Sequence, residues 1–294
     1  MKIAIFGQYY QNDTRPIIRD IFVFLNANNV ELVIEKQFLE ILYQEEILKK
    51  EYKTFASYQD LDATFDVLIS IGGDGTILRA ATYVRNSGIP ILGINAGRLG
   101  FLAKVQKENI EDFLKIVLEK KYTLSRRTLL SITSTPKIDE INDLNFAMNE
   151  ITVSRKDTTS MITVETYLNG EYLNSYWADG LIISTPTGST GYSLSCGGPI
   201  LTPEVESLVI TPIAPHNLNA RPLVINDNTE IELRVSGRED NYLISLDSRI
   251  ASVSNNAILK INKTPFKINM VEIAEETFLK TLRNKLLWGQ DKRN

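Results

Sequence analysis

The chain changes rhythm once, near residue 125, and that change narrows the folds open to it. Before it, strand-like and helix-like segments alternate. Lys2–Gly7 is a short apolar run closed by glycine, and Thr14–Asn28 follows with helical spacing at Ile17, Ile18, Ile21, Phe22 and Leu25. Val30–Ile34 reads as a second strand. Asp66–Gly73 reads as a buried strand leading into a helix over Thr76–Arg85, and Ile89–Asn95 as another strand. A helical stripe at Ile110, Phe113, Leu114, Val117 and Leu118 runs through Lys107–Lys120. Such alternation predicts βαβ units and a parallel sheet.

Beyond residue 125 short runs such as SITST, ITVSR, LIIST, EIELRVSG, NYLISL and AILKINKT succeed one another with no helical pattern between them. Asn169-Gly170, between Val164–Leu168 and Tyr172–Tyr176, is a hairpin signal. This half is expected to be an antiparallel all-β domain, a sandwich or irregular barrel. The tail, Ile273–Trp288, turns helical again with Phe278, Leu279, Leu282, Leu286 and Leu287 on one side, and such a face needs a surface to cover. The expected fold class is α+β with two domains. A Rossmann-like α/β lobe with a parallel sheet spans residues 1–125, an all-β sandwich-like lobe spans 126–270, and a C-terminal helix over 271–294 packs back on the first lobe.

Composition removes whole classes of chemistry. The single cysteine, Cys196, cannot form a disulfide within the chain or a Cys-based zinc site. The single histidine, His216, rules out a multi-His metal cage and leaves any His-dependent triad resting on one residue. Carboxylates, hydroxyls, backbone amides and a bound metal remain. The net charge of −4 is small, with no basic run of five or more residues, so the electrostatic footprint of a nucleic-acid binder is missing. The N-terminal apolar run is too short for a signal peptide. The longest uncharged stretch, Gly180 to Pro203, is full of Gly, Ser, Thr and Pro and cannot span a membrane. A soluble, cytoplasmic protein is expected.

Two segments carry the chemistry. In the first, the strand Ile69–Ile71 runs straight into Gly72-Gly73-Asp74-Gly75-Thr76 and then a helix. Glycines at a strand-to-helix turn let a ligand approach the backbone, and amides at a helix start favour an anion such as phosphate. Asp74 is odd in a mere phosphate cradle. It makes sense if it accepts a proton from a hydroxyl nucleophile or helps hold a divalent cation; the plainer alternative is a tight turn in which it caps the helix. Position 78 is Leu78 where a dinucleotide fingerprint needs glycine, and no Walker-type loop exists. The second segment, Asp179 to Ser195, feeds a strand core into residues dense in hydroxyls and glycine, with Tyr192 among them. It suits phosphates or sugar hydroxyls with an aromatic ring alongside, or is a Ser/Thr-rich loop of no special role.

With Asn149-Glu150 added, the chain resembles the NAD kinases, which phosphorylate the adenosine-ribose 2′-hydroxyl of NAD. Gly72–Thr76 matches the family's GGDGT, Asn149-Glu150 its NE pair, and Asp179–Tyr192 its DG…TPTGST-x-Y signature. Leu99–Leu102 and Pro215-His216-x-Leu218-x-Ala220-Arg221-Pro222-Leu223 support the match. The resemblance implies that Asp74 is the base, that Gly72, Gly73 and Thr76 form the phosphate-donor loop, and that Mg2+ or another divalent metal and ATP take part. It implies that Asn149 and Glu150 hold NAD and that Asp179 contacts the nicotinamide-riboside end. Thr190, Tyr192 and Ser195 would line the adenosine pocket, with Gly75, Arg79, Phe101, Thr187, Gly191, Ser193, Leu194 and Ala214 completing the site. It further implies a cleft between the lobes, a homodimer or homotetramer, and sites built partly across subunits. No metal ligands are assigned.

Three positions depart from the family pattern. Trp177 stands where bacterial relatives often carry a basic residue, Gly191 replaces a small alanine, and Asp247-Ser248-Arg249 stands where many relatives have Asp-Gly-Gln. Arg249 is thus expected to bring a positive charge to the site. His216 is expected to serve structure or hydrogen bonding behind the ligand, Cys196 to be a small packed residue, and Tyr9-Tyr10 to lie at a surface or interface. Two other functions share parts of this pattern: a lipid or sugar kinase with the same Gly-Asp-Gly turn, and a non-catalytic NADP(H) sensor.

Overall fold

The computed structural model describes residues 1–8, 14–97, 99–105, 109–156, 160–273 and 276–289. They form two compact units, residues 1–126 with 268–294, and residues 127–267.

The first unit is built on a sheet of order β3-β2-β1-β4-β5-β19-β6. Its strands are β1 (Lys2–Gly7), β2 (Glu31–Glu35), β3 (Lys53–Phe55), β4 (Val67–Gly72), β5 (Ile91–Asn95), β6 (Thr123–Arg127) and β19 (Ile268–Glu272). β1, β2, β3, β4, β5 and β19 pair in parallel. Both faces are covered, as a parallel sheet requires. Ile3, Ile5, Ile69 and Ile71 pack in one cluster with α1 (Thr14–Ala27), α2 (Lys36–Gln44) and α4 (Ile110–Leu118). On the opposite face lies α3 (Asp74–Val84), whose Ile77 approaches so near Gly93 that a Cβ there would sit 2.4 Å from its terminal methyl.

Four features differ from the sequence expectation. α2 is absent from the periodicity reading because it is short and buries only Phe38, Leu39 and Leu42; its start is set by Glu35, whose buried carboxylate accepts from the Phe38 amide at 2.8 Å. α4 begins at Ile110, and Lys107 lies outside the described residues, as do Tyr9 and Tyr10. The return to the first unit is made by a strand, β19, before any helix. The tail helix, α7, covers only Phe278–Leu286 and buries Thr281 and Leu282. Leu279 and Leu287 are exposed, because Leu279 faces away and Leu287 leaves the helix in a left-handed conformation, φ 56°.

The strands of the second unit pair antiparallel in two six-stranded sheets. One is ordered β11-β10-β15-β18-β7-β8 and the other β14-β13-β12-β9-β16-β17. The first comprises β7 (Leu130–Thr135), β8 (Phe146–Ala147), β10 (Ile162–Leu168), β11 (Glu171–Ala178), β15 (Ile231–Ser236) and β18 (Ile258–Lys263). The second comprises β9 (Glu150–Arg155), β12 (Gly180–Ser184), β13 (Ser207–Ile213), β14 (Leu223–Asn226), β16 (Asn241–Leu246) and β17 (Arg249–Ser254). Alternate residues point inward: Ile231, Leu233 and Val235 of β15 meet Tyr242, Ile244 and Leu246 of β16 in one apolar core. This is a sandwich. Asn169-Gly170 turns β10 into β11 with φ 50° and 83°, as a two-residue hairpin loop demands. β12 is buried on both faces, because the chain after it folds over the outer side. There the short helix α6 (Tyr192–Ser195) hydrogen-bonds Ser193 Oγ with Thr211 Oγ1 at 2.8 Å.

Ile183 is fully buried in this core. Ile183→Ala is expected to cost about 2–5 kcal/mol in denaturant unfolding. A loss under roughly 1 kcal/mol would mean the sandwich core relaxes around the missing atoms.

Candidate active site

In the first unit the chemistry gathers where β4 becomes α3. Gly73 is the N-cap residue, and no side chain caps the helix. The capping alternative for Asp74 therefore does not describe this turn. The Asp74 carboxylate instead accepts three consecutive amides from a distant loop: Phe101 on Oδ2 at 2.8 Å, and Leu102 and Ala103 on Oδ1 at 3.0 and 2.9 Å. The approach is so close that only glycine fits before the donors, since a Cβ on Gly100 would lie 1.9 Å from Asp74 Oδ1. A negative charge in the first turn also suits the helix dipole.

Gly73 and Asp74 are half-exposed and Gly75 is exposed, so the first-turn amides, which have no intrahelical partner, lie near the surface. Gly72 and Thr76 are buried, and the Thr76 hydroxyl donates to Gln8 Oε1 at 3.1 Å, bracing the turn against the end of β1. Arg79 is exposed with its guanidinium 5.6 Å from the Phe6 ring centre. Phe101 is half-exposed and its ring lies 6.3 Å from that of Phe278.

In the second unit Asn149-Glu150 opens β9, and the tight turn between β16 and β17 holds it. Asp247 Oδ2 accepts the Met148 amide at 3.0 Å, and Oδ1 accepts those of Asn149 and Glu150 at 2.8 and 3.3 Å. The Asn149 carbonyl accepts from the Thr185 amide at 2.9 Å, and Gly188 passes so near that a Cβ would sit 2.1 Å from that oxygen. Arg249 does not bring charge to the site as expected. It donates to the carbonyls of Leu144 and Phe146 and stands 4.0 Å from Asp247 Oδ2, so its charge is spent behind the Asn149-Glu150 segment.

Glu150 is buried, with Oε2 unpartnered. Burial, and next the Asp247 carboxylate, push its carboxyl up to about 8, against the lowering effect of the Tyr192 amide. Burial also pushes Asp247 upward, opposed by its three amides and by Arg249. Burial raises the Tyr192 phenol, with Cys196, Asp179 and Glu150 adding to it, so Tyr192 shares a neighbourhood with both acids.

Asp179, between β11 and β12, pairs with Arg155 Nη2 at 3.0 Å, so a cation reaches it from β9 while Trp177 stands two positions before it. The Trp177 ring lies 4.4 Å from that of His216, whose amide donates to the Trp177 carbonyl at 2.9 Å. Ala214, exposed on the same loop, has φ 43°. Of the hydroxyl-rich segment, Thr190, Gly191 and Leu194 are half-exposed and Tyr192 and Ser195 exposed. Thr187 and Ser193 are buried, the Ser193 hydroxyl being turned to Thr211, so neither side chain is at the surface. Cys196 is half-buried rather than packed inside. The sequence reading gave no place to Lys104 or Arg155, and it did not foresee the fit of Gly100 against Asp74 or the anchoring role of Asp247.

Glu150 keeps its proton in the folded protein up to about pH 8 but releases it near its ordinary value of 4.5 when unfolded. Between those values the folded state binds more protons, so this group lowers stability as pH rises and its effect levels off above the window. Glu150→Gln lacks that effect. The variant should exceed the parent by on the order of 2–4 kcal/mol at about pH 8.5, with the difference shrinking towards zero near pH 5. Guanidinium unfolding at both pH values measures it, and a pH-independent difference would count against the assignment.

The descriptions of known families match both halves of the chain: ATP-NAD kinase N-terminal domain over residues 3–122, and ATP-NAD kinase C-terminal domain over residues 148–273. The NAD kinase of Flavobacterium psychrophilum is 76% identical over 294 residues, covering 100% of each chain. Yeast NADH kinase, solved with NADH, superposes with a TM-score of 0.88 over 99% of this chain and 88% of that one, at 23% identity, and so shares the fold. An NAD kinase from Archaeoglobus fulgidus, solved with ATP, gives a TM-score of 0.74 at 28% identity over 97% of each chain. Carrying GGDGT, the NE pair and the TPTGST segment in the same order along its whole length, the chain belongs to the NAD kinase family.

Proposed function

We propose that the chain transfers the γ-phosphoryl group of ATP to the adenosine-ribose 2′-hydroxyl of NAD, giving NADP and ADP. The carrying observation is the Asp74 carboxylate, held by three amides at the start of a helix. Asp74 takes the proton from the 2′-hydroxyl as its oxygen bonds to phosphorus and the bond to ADP breaks; the proton then passes to water. The Gly72–Thr76 turn and Arg79 serve the donor phosphates. Asn149 and Glu150 hold the dinucleotide, and an uncharged Glu150 can donate a hydrogen bond as well as accept one. Asp179 serves the nicotinamide-riboside end, and Thr190, Tyr192 and Ser195 the adenosine, with Phe101, Gly191, Leu194 and Ala214 alongside.

Among the described residues no three His, Cys, Asp or Glu side chains come together as a metal cage. The half-exposed Asp74 carboxylate beside the glycine turn fits a magnesium ion carried mainly by the nucleotide phosphates. When bound, such an ion offsets phosphate charge. No described helix is long and apolar enough to cross a membrane. A cytoplasmic homodimer or homotetramer completes the reading.

Purified protein with magnesium, ATP and NAD should form NADP, while diacylglycerol and fructose 6-phosphate, the acceptors of lipid and sugar kinases, should not react. Asp74→Asn should lower kcat by about 10²–10⁴-fold with the fold retained by circular dichroism. Full activity in that variant would remove Asp74 from the role of base.

A further inference from the structure

The loop that donates three amides to Asp74 is itself anchored from the far end of the chain. Lys104 follows the last donor, Ala103, and its side chain is only 10% exposed. Its ammonium donates to Glu272 Oε1 at 3.1 Å and to the main-chain carbonyl of Glu276 at 3.2 Å. Glu272 ends β19, and its own carbonyl accepts from Thr123 Oγ1 at 3.3 Å. Glu276 is fixed in turn by Lys280 of α7 at 2.8 Å. At the other end of the donor trio, the Phe101 ring meets Phe278. An ammonium this buried is tolerated only when paired, which sets this contact apart from the exposed ion pairs elsewhere on the surface.

We infer that Lys104 is a positioning residue for phosphoryl transfer, tying the 101–103 amides, and through them the Asp74 carboxylate, to the returning segment at Glu272 and Glu276. The inference rests on the reading of Asp74 as the base. Three amides in a row aim the carboxylate only if the loop presenting them is fixed. The side chain next to the last donor fixes it against the end of β19, an interior strand beside the edge strand β6. Lys104 bonds to Glu272 and Glu276 and not to the proposed ligand groups, so its loss should act on turnover rather than on substrate binding. A misplacement on the order of 1 Å at a reacting group can cost about 10²-fold in rate.

The test compares Lys104→Met, which keeps the apolar stem but not the charge, with Lys104→Arg and Glu272→Gln, in steady-state assays with NAD and ATP. Lys104→Met should lower kcat by roughly ten- to hundredfold while KM for both substrates stays within about twofold. Lys104→Arg should restore most of the loss, and Glu272→Gln should shift kcat the same way by less. Unchanged kcat with a lowered Tm, or kcat and both KM values moving together, would overturn the inference. If Lys104→Met does not fold, Glu272→Gln decides alone: a kcat equal to that of the parent overturns it. Asp74→Asn run in parallel separates the two readings. If Asp74→Asn stays active, the base assignment fails. If it is dead while Lys104→Met is fully active, only the role of Lys104 fails.

Discussion

A carboxylate that accepts three consecutive backbone amides can point in only one direction. At Asp74 this constraint joins two stretches of chain that otherwise have little reason to meet: the start of α3 and the loop after Gly100. Asp74 is thus oriented by the fold before any ligand arrives, which is the condition the proposed base needs in order to gain from proximity instead of losing entropy on the way. Gly100 follows from the same constraint: it carries no side chain where the carboxylate and its donors touch.

The β unit repeats the device with a different cargo. Asp247 collects the amides of Met148, Asn149 and Glu150, and Arg249 collects carbonyls on the approach to them. One tight turn between β16 and β17 therefore handles both the donors and the acceptors of the segment that presents Asn149-Glu150. Burying Asp247 and Glu150 near each other leaves room for little more than one negative charge. The three amides and the guanidinium favour Asp247 as its bearer.

The strand–helix rhythm, the Asn169-Gly170 hairpin and the two signature turns were legible because each is written in neighbouring residues. The partners of those turns were not. Asp74 finds its donors 27 to 29 positions away, and Asp247 binds amides 97 to 99 positions away. Periodicity and motif spacing carry no information over such separations. Arg249 illustrates the consequence: beside an aspartate it reads as charge for a ligand, and only the fold shows its guanidinium satisfied by backbone oxygens. α2 escaped notice for another reason. With three buried residues it has too little apolar face to show a period, and a buried glutamate cap supplies what the pattern lacks. Ser193 and Thr187 look like ligand hydroxyls in a polar run until packing turns them inward.

β19 lies between β5 and β6 in its sheet, although almost the entire β unit is made between those strands and it. The α/β sheet therefore lacks one of its interior strands for most of the time the chain is being synthesised. The sandwich, being continuous in sequence, can close first. The sheet beneath Asp74 can close only after residue 272 has emerged. A partly made chain therefore holds Asp74 and its three amide donors before the strand that carries Glu272 has joined the sheet.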